Sequence, residues 1–159
     1  MKKMRIYLDT SIISAYFDYR KPVRQLITQK WFQNDIKNFE SFISSLVIQE
    51  INNNKDIELK ENMFDMIIEH NFSVLDIDNE SLSLAENYRK EVIKKEINDS
   101  IHIAIATINS LDAVVSWNFK HIVNLKTINT IHSINLLHNY KIVEIMTPEN
   151  LGGNVYANL

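Results

Sequence analysis

Short strand-like runs alternate with helical segments along this 159-residue chain, and that alternation most constrains its fold. The runs with strand character cover residues 5–8, 42–44, 72–75, 113–116 and 141–145. Parallel strands need a crossover connection, usually a helix, whereas antiparallel strands can be joined by a tight turn. The pattern therefore predicts an α/β fold with a central, mostly parallel sheet of about five strands.

The helical segments between these runs carry recognisable start signals. Pro22 suits the first turn of a helix, and the apolar face of that helix is expected to include Val23, Leu26, Ile27 and Trp31. Asp78 and Asn98 are expected to cap two later helices. A further helix is predicted for residues 127–138, and Thr-Pro at 147–148 is a last helix-start signal.

Composition indicates one domain and removes several classes of protein. We predict a single domain over residues 1–151 and a loosely attached tail over 152–159. The chain has no cysteine, which excludes disulfide scaffolds, thiolate metal sites and cysteine nucleophiles. The net charge of −3 argues against coating nucleic acid through bulk positive charge. Asp9 interrupts the apolar stretch after a basic start, so we expect a cytoplasmic protein with no membrane association.

Polar side chains follow the first and fourth predicted strands. Asp9 comes directly after the first strand, and Asn118 closes a Ser-Trp-Asn segment after the fourth. Ligands of parallel sheets bind beyond the carboxyl ends of the strands, near a topological switch point. Asp99 opens a late helix, and Glu50 interrupts an apolar helical segment. These side chains can converge, although each Asp also suits a helix end and Glu50 also suits a solvent-facing stripe.

Converging carboxylates in a chain without cysteine suit a hard, oxygen-loving cation such as Mg²⁺ or Mn²⁺. Such ions bind phosphates, activate water and stabilise a leaving oxygen. His102 lies three residues after Asp99 on the same helix face. It is either a metal-site residue or a hydrogen-bonded core histidine. The residues alone therefore indicate metal-dependent phosphoryl chemistry.

Taken in order, four segments of the chain resemble the PIN-domain family. They are 6–11 (IYLDTS), 47–51 (VIQEI), 98–106 (NDSIHIAIA) and 115–122 (VSWNFKHI), and the resemblance extends from Met4 to about Leu151. The family pattern places an Asp after the first strand, a Glu on an early helix and an Asp at the start of a late helix. A Thr/Ser-x-Asp or Asn motif follows the next strand. Within this family, the chain resembles VapC-like toxins of bacterial toxin–antitoxin pairs and related PIN-domain proteins.

The resemblance implies a three-layer α/β/α sandwich and an acidic pocket for one or two Mg²⁺ or Mn²⁺ ions. It implies that the catalytic and metal-binding residues are Asp9, Glu50, Asp99 and Asn118. The resemblance also implies that Ser116 fills the family's hydroxyl position and that Thr10 or Ser11 supports Asp9. The chain departs from the pattern at Asn118, where the family often has Asp, and this removes one negative charge.

Further residues near the expected pocket have possible supporting and substrate-binding roles. His102 and His121 either position substrate and protons or act through hydrogen bonds to the ligands. Trp117 and Phe119 either stack on an unpaired base or pack, and Lys120 is the candidate phosphate contact. A run of cations is expected on one helix, either along an RNA backbone or as a solvated face: Arg89, Lys90, Lys94 and Lys95.

We weigh three functions. The first is a metal-dependent endoribonuclease, the toxin of a toxin–antitoxin pair, with an RNA substrate (single-stranded or structured), an antitoxin partner and a homodimeric state. The second is a PIN-like nucleic-acid- or protein-binding module with weak or no catalysis, suggested by Asn118. The third is a phosphatase or receiver-like domain with Asp9 as nucleophile, which is disfavoured because Ser11 stands where a dehalogenase-type phosphatase has a second Asp.

Overall fold

A computed structural model describes residues 2–151, and the predicted tail over 152–159 lies outside them. The strands are β1 (Met4–Leu8), β2 (Phe39–Ser44), β3 (Ser73–Leu75), β4 (Ala113–Val115) and β5 (Glu144–Met146). The helices are α1 (Thr10–Ala15), α2 (Pro22–Asn34), α3 (Ser45–Asn52), α4 (Ile57–His70), α5 (Asn79–Glu91), α6 (Ile97–Ile108), α7 (Leu125–Leu137) and α8 (Pro148–Leu151). A short 3-10 helix at Ile36–Asn38 precedes β2.

The five strands form one sheet in the order β3-β2-β1-β4-β5, and every neighbouring pair is parallel. Helices flank this sheet, so the predicted α/β class and three-layer arrangement are confirmed. The chain builds β1, β2 and β3 outward and then returns to place β4 on the other side of β1. The switch point of the sheet therefore lies between the carboxyl ends of β1 and β4.

The core is centred on the inner strands and on α6. Ile6, Tyr7 and Leu8 of β1 are 0% exposed, as are all the residues of β4. Strands buried on both faces read as continuous apolar runs, which is how β1 and β4 appear in the sequence. Within residues 2–151, no helix has the length and apolar character needed to cross a membrane.

The helix-start signals were largely read correctly. Pro22 lies in the first turn of α2, and the Asp78 carboxylate accepts the Ser81 backbone N–H and caps α5, as predicted. The prediction for Asn98 was wrong, because α6 begins at Ile97 and Glu96 occupies the capping position. Asn98 is therefore inside the first turn of this helix.

Two other expectations about helices were wrong in part. On α2, Trp31 is buried as predicted, together with Thr28 and Phe32, but Val23 and Leu26 are 72% and 51% exposed. A helix advances about 100° per residue, so these two sets lie on different stripes. The basic run is not on one helix, because α5 ends at Glu91, before the last two lysines of that run.

Candidate active site

Asp9 follows β1 in an extended conformation, and its carboxylate makes no capping hydrogen bond to α1. The side chain is buried, and it accepts hydrogen bonds from two hydroxyls. Ser11 Oγ donates to Asp9 Oδ1 and Ser116 Oγ donates to Asp9 Oδ2, each at 2.5 Å. Burial raises the pKa of Asp9, while His102 and the two hydroxyls oppose that rise. Asp9 is thus placed for a role other than helix capping.

The same two hydroxyls tie α1 to the segment after β4. Ser11 Oγ accepts the Trp117 backbone N–H at 2.9 Å, and Ser116 Oγ accepts that of Asn118 at 2.9 Å. Each serine hydroxyl accepts a backbone N–H through its oxygen and donates its single proton to the Asp9 carboxylate. The sequence predicted Ser11 and Ser116 at the site, and the structure brings both onto Asp9.

Glu50 projects from α3 and is held by side chains of two other helices. Thr10 Oγ1 donates to Glu50 Oε1 at 2.8 Å, and His102 Nε2 lies 2.5 Å from the same oxygen. Burial would raise the pKa of Glu50, but the hydrogen bonds from His102, Thr10 and Asn98 outweigh it and lower that pKa. Glu50 is therefore ionised at neutral pH. Thr10 supports Glu50, whereas Ser11 supports Asp9.

His102 connects Glu50 to the sheet through a buried chain of hydrogen bonds. Its Nδ1 lies 2.6 Å from the Tyr7 hydroxyl, which is 2.7 Å from Ser44 Oγ. Burial raises the pKa of Tyr7 well above its ordinary value, so this phenol stays protonated. Glu50 only accepts, so His102 donates to it from Nε2, and the other ring nitrogen, Nδ1, pairs with the Tyr7 hydroxyl. His102 thus orients Glu50 against β1 and β2.

Asp99 lies in the first turn of α6 and contacts Asn118. Asn118 Nδ2 donates to Asp99 Oδ2 at 3.1 Å, and Asn118 Oδ1 accepts the His121 backbone N–H at 3.0 Å. The backbone N–H can only donate, so it fixes the amide orientation and directs the nitrogen at Asp99. Burial raises the pKa of Asp99 to about 6, with Asp9 adding to the rise and His102 opposing it.

Glu96 is a neighbour of the site that the sequence reasoning missed. Glu96, Asp99 and His121 offer ligand atoms that all lie within 4.8 Å of one another. His121 Nε2 is 3.7 Å from Glu96 Oε1. The signal was present in the sequence, because Glu96 precedes Asp99 by three residues and such pairs share a helix face.

The three predicted carboxylates interact electrostatically around the switch point. Electrostatic interactions link Asp9 to Glu50 and to Asp99, and His102 interacts with all three. Carboxylate and hydroxyl oxygens are the donors that Mg²⁺ and Mn²⁺ prefer. The raised pKa values of Asp9 and Asp99 reflect buried negative charge that a cation would neutralise. The donor set therefore fits a divalent metal, and the individual roles stay predictions.

The predicted substrate-binding residues border this site but differ in exposure. Trp117 is 4% exposed, and its indole N–H donates to Thr28 Oγ1 at 2.9 Å. Phe119 is 48% exposed, and Lys120 is also exposed. Trp117, Phe119 and Lys120 line one cavity of about 460 Å³ together with Asn118. Trp117 is packed, so Phe119 offers the more accessible ring.

Acidic side chains gathered at the switch point of a parallel α/β sheet define a class of protein with an anionic pocket for a cation. The PIN domain family model matches residues 6–119, and the chain belongs to this family, whose members are generally nucleases. The resemblance drawn from the four sequence segments is thereby confirmed.

Solved structures show the same fold at low sequence identity. The FitAB complex bound to an IR36 DNA fragment matches with a TM-score of 0.60 at 17% identity, covering 93% of this chain and 98% of that one. VapC20 of Mycobacterium tuberculosis, a sarcin-ricin loop cleaving toxin, matches with a TM-score of 0.58 at 12% identity, covering 73% and 92%. A toxin–antitoxin complex from Klebsiella pneumoniae matches with a TM-score of 0.55 at 17% identity, covering 77% and 93%. No curated protein matches the chain.

Proposed function

We propose that this protein is a metal-dependent endoribonuclease that hydrolyses RNA phosphodiester bonds. The observation that carries the proposal is the electrostatic interaction of Asp9 with Glu50 and with Asp99 beside the switch point between β1 and β4. The membership of the chain in the PIN domain family supports a nuclease activity.

In this proposal Asp9, Glu50 and Asp99 hold one or two Mg²⁺ or Mn²⁺ ions. Bound there, the metal supplies a Lewis acid for the charge that develops on the phosphate. Ser11 and Ser116 orient both oxygens of Asp9 through their hydrogen bonds. Because the Asn118 nitrogen faces Asp99, we assign Asn118 to orienting that carboxylate, and coordination by its oxygen stays a prediction.

The two histidines take different parts. Both ring nitrogens of His102 are engaged, by Glu50 and by Tyr7, so His102 holds Glu50 ionised and in place. His121 is 30% exposed and lies beside Asp99 and Glu96, where it can exchange a proton with substrate or solvent. Trp117 and Lys120 border the substrate path, with Lys120 as a phosphate contact.

The solved relatives support RNA as substrate and a protein antitoxin as partner. VapC20 is described as cleaving the sarcin-ricin loop, and VapBC2 of Rickettsia felis was solved bound to a promoter DNA fragment. By extension, we propose that this chain acts on RNA in the cytoplasm as the toxin of a pair. An antitoxin segment would lie across the acidic pocket, and a two-fold homodimer is the expected assembly.

The test is cleavage of single-stranded RNA and DNA oligomers, and of folded RNA hairpins, in Mg²⁺, Mn²⁺ or EDTA. Asp9→Asn, purified in parallel, controls for contaminating nucleases. We expect RNA cutting that requires the metal and that Asp9→Asn lacks. Cutting of RNA in EDTA, or equal cutting by both proteins, would contradict the proposal.

One observation favours a binding module as the second candidate. Asn118 donates a hydrogen bond to the Asp99 carboxylate at a position where the family often has an acidic residue, so the pocket has one fewer negative charge for a metal. A module of this kind would bind metal and RNA without cutting any of the substrates above. Metal and RNA binding, measured beside the cleavage assay, therefore separates the two functions: binding without cutting supports the module.

A further inference from the structure

A surface of mixed aromatic and cationic character adjoins the acidic pocket. Arg24 lies over two rings, with its guanidinium carbon 5.2 Å from the Trp117 ring centre and 5.6 Å from that of Phe119. Lys21 and Lys120 border the same cavity. We call these five residues the cationic shelf: Lys21, Arg24, Trp117, Phe119 and Lys120.

The shelf is continuous with the proposed catalytic pocket. The cavity that it lines also includes Ser11, which bonds Asp9, and Asn118, which bonds Asp99. A chain leaving the carboxylates along this cavity therefore reaches Arg24 and Phe119. Charge changes sign along that path, from the acidic pocket to the cations of the shelf.

The cations of the shelf have carboxylates near them but no direct ion pair with one. Asp18 interacts electrostatically with Lys21, and Glu149 lines a cavity beside Lys21 and Arg24. Within residues 2–151, no carboxylate lies within ion-pair distance of Lys21, Arg24 or Lys120. The nearby carboxylate of Asp18 pairs with Arg20 at 2.8 Å. The shelf is thus charged to receive an anion, even though the whole chain carries a net charge of −3.

The rings divide into a support and a platform. Trp117 is 4% exposed and is fixed by its hydrogen bond to Thr28, so it holds Arg24 from below. Phe119 is 48% exposed and offers a free face. A guanidinium stacked on aromatic rings keeps its N–H donors available in its own plane, where they can bind phosphate bidentately.

We propose that the cationic shelf binds one unpaired nucleotide of the RNA strand next to the scissile phosphate. Its base stacks on Phe119, and its phosphate pairs with Arg24, flanked by Lys21 and Lys120. This inference rests on the proposed function and adds to it a preference for single-stranded RNA at the cutting site. Base stacking needs an exposed face, which a paired base inside a duplex does not present.

The test measures binding of a fluorescein-labelled single-stranded oligoribonucleotide, and of its duplex, by anisotropy in Ca²⁺, with cleavage in Mn²⁺ measured in parallel. Phe119→Leu removes the ring and Arg24→Gln removes the charge. Phe119→Tyr keeps a ring, and Lys30→Gln removes a charge from an exposed position on α2 about 240° around the helix from Arg24. Thermal melts of each variant check that it is folded.

We expect Phe119→Leu and Arg24→Gln to weaken single-strand binding by about 5- to 100-fold. Phe119→Tyr and Lys30→Gln should stay within about twofold of the wild type. Phe119→Leu should also abolish the preference for the single strand over the duplex, a readout that a purely structural role would not change. Unchanged single-strand binding in Phe119→Leu, or an equal loss for both nucleic acids, would overturn the proposal.

The two proposals fail in distinguishable ways. If the wild type cuts no RNA but loses single-strand binding on Phe119→Leu, the nuclease proposal fails and the shelf stands. If the wild type cuts RNA and both shelf variants bind and cut equally well, the shelf fails and the nuclease proposal stands. That second outcome would instead indicate that the cationic shelf binds a protein partner.

Discussion

At the scale of single residues, Asn118 is the feature that most affects the chemistry of the pocket. From the sequence it was a missing negative charge. In the structure its nitrogen donates to Asp99 and its oxygen accepts from His121. An aspartate here would place a second carboxylate beside Asp99, a contact that is unfavourable unless a cation or proton separates the two charges.

Asn118→Asp should therefore lower the stability of the metal-free protein and raise its affinity for metal. Losing the hydrogen bond and gaining a like charge should cost about 1–3 kcal/mol of unfolding free energy in EDTA. Mn²⁺ should bind several-fold more tightly, because the site gains a negative charge. Thermal melts in EDTA and Mn²⁺ titrations measure both effects. Asn118→Ala, which loses the hydrogen bond without adding charge, should be destabilised but gain no affinity; an equal gain in both variants would refute this account.

Proton competition should set the lower pH limit of metal binding. Burial raises the pKa of Asp99 to about 6, so in the metal-free protein this carboxylate is ionised above about pH 6 and protonated below it. Mn²⁺ affinity should be level between pH 7 and 8 and fall by up to about tenfold per pH unit below pH 6 for one displaced proton. Titrations from pH 5 to 8 measure this. A profile that stays flat down to pH 5 would mean that Asp99 does not hold the metal.

Some residues of the site could be predicted from the sequence, but the contacts that their side chains make could not. Asp9 was predicted from its place at the end of a strand, where ligands of parallel sheets bind, and Ser11 and Ser116 were predicted from the family resemblance. The partner of Thr10 and the orientation of the Asn118 amide were not predictable, since both depend on side-chain direction within the packed site. Glu96 was missed although its spacing from Asp99 was readable.

At the scale of elements, α6 is the helix that contributes most to the buried core. Nearly all of its residues after Asp99 are buried, and Ile103, Ala104, Ile105 and Ala106 are 0% exposed. The helix also places Asp99 in its first turn and His102 one turn later. Its packing therefore fixes two residues of the proposed site.

Ile103→Ala should lower the free energy of unfolding by about 2–5 kcal/mol, because it leaves a cavity in a fully buried position. Ile97→Ala is the matched control: it lies on the same helix but is 51% exposed, so its cost should be under about 1 kcal/mol. Urea denaturation followed by circular dichroism measures both. Similar losses in the two variants would show that the burial assigned to α6 is wrong.

The elements were predictable where local signals and burial agreed. The apolar runs of β1 and β4 and the capping residue Asp78 satisfied both, and each was located correctly. The prediction that Asn98 caps α6 was wrong because the capping preference of a residue does not determine where tertiary packing starts the helix. Val23 and Leu26 failed because α2 buries another stripe, a choice made by its neighbours in the fold.

At the scale of the whole molecule, the site depends on the strand order. The alternation of strands and helices predicted the parallel sheet, but the order β3-β2-β1-β4-β5 required the structure. That order puts the carboxyl ends of β1 and β4 side by side. The convergence of Asp9 with the segment after β4 is therefore a property of the topology, not of any one motif.

Because the whole molecule is negatively charged, the salt dependence of RNA binding tests whether RNA binds only at the cationic shelf. With a net charge of −3, binding should depend on the three cations of the shelf and not on a broad basic face. The slope of log affinity against log salt should lie between about −0.7, for the one phosphate at Arg24, and about −2, if Lys21 and Lys120 each neutralise a neighbouring phosphate of the single strand. Arg24→Gln should reduce it by about 0.7. A slope steeper than about −5 would implicate a larger surface, such as the basic run that begins at Arg89.

Calorimetric titration of Mn²⁺ into the metal-free protein tests the central claim most directly, since it does not depend on finding the right RNA. Asp9→Asn is the test variant, and Asp65→Asn, at an exposed acidic position on α4, is its control. We predict saturable binding of one or two ions, at least about tenfold weaker in Asp9→Asn and unchanged in Asp65→Asn. Equal binding by wild type and Asp9→Asn, or no saturable binding by either, would contradict a metal site built on Asp9, Glu50 and Asp99.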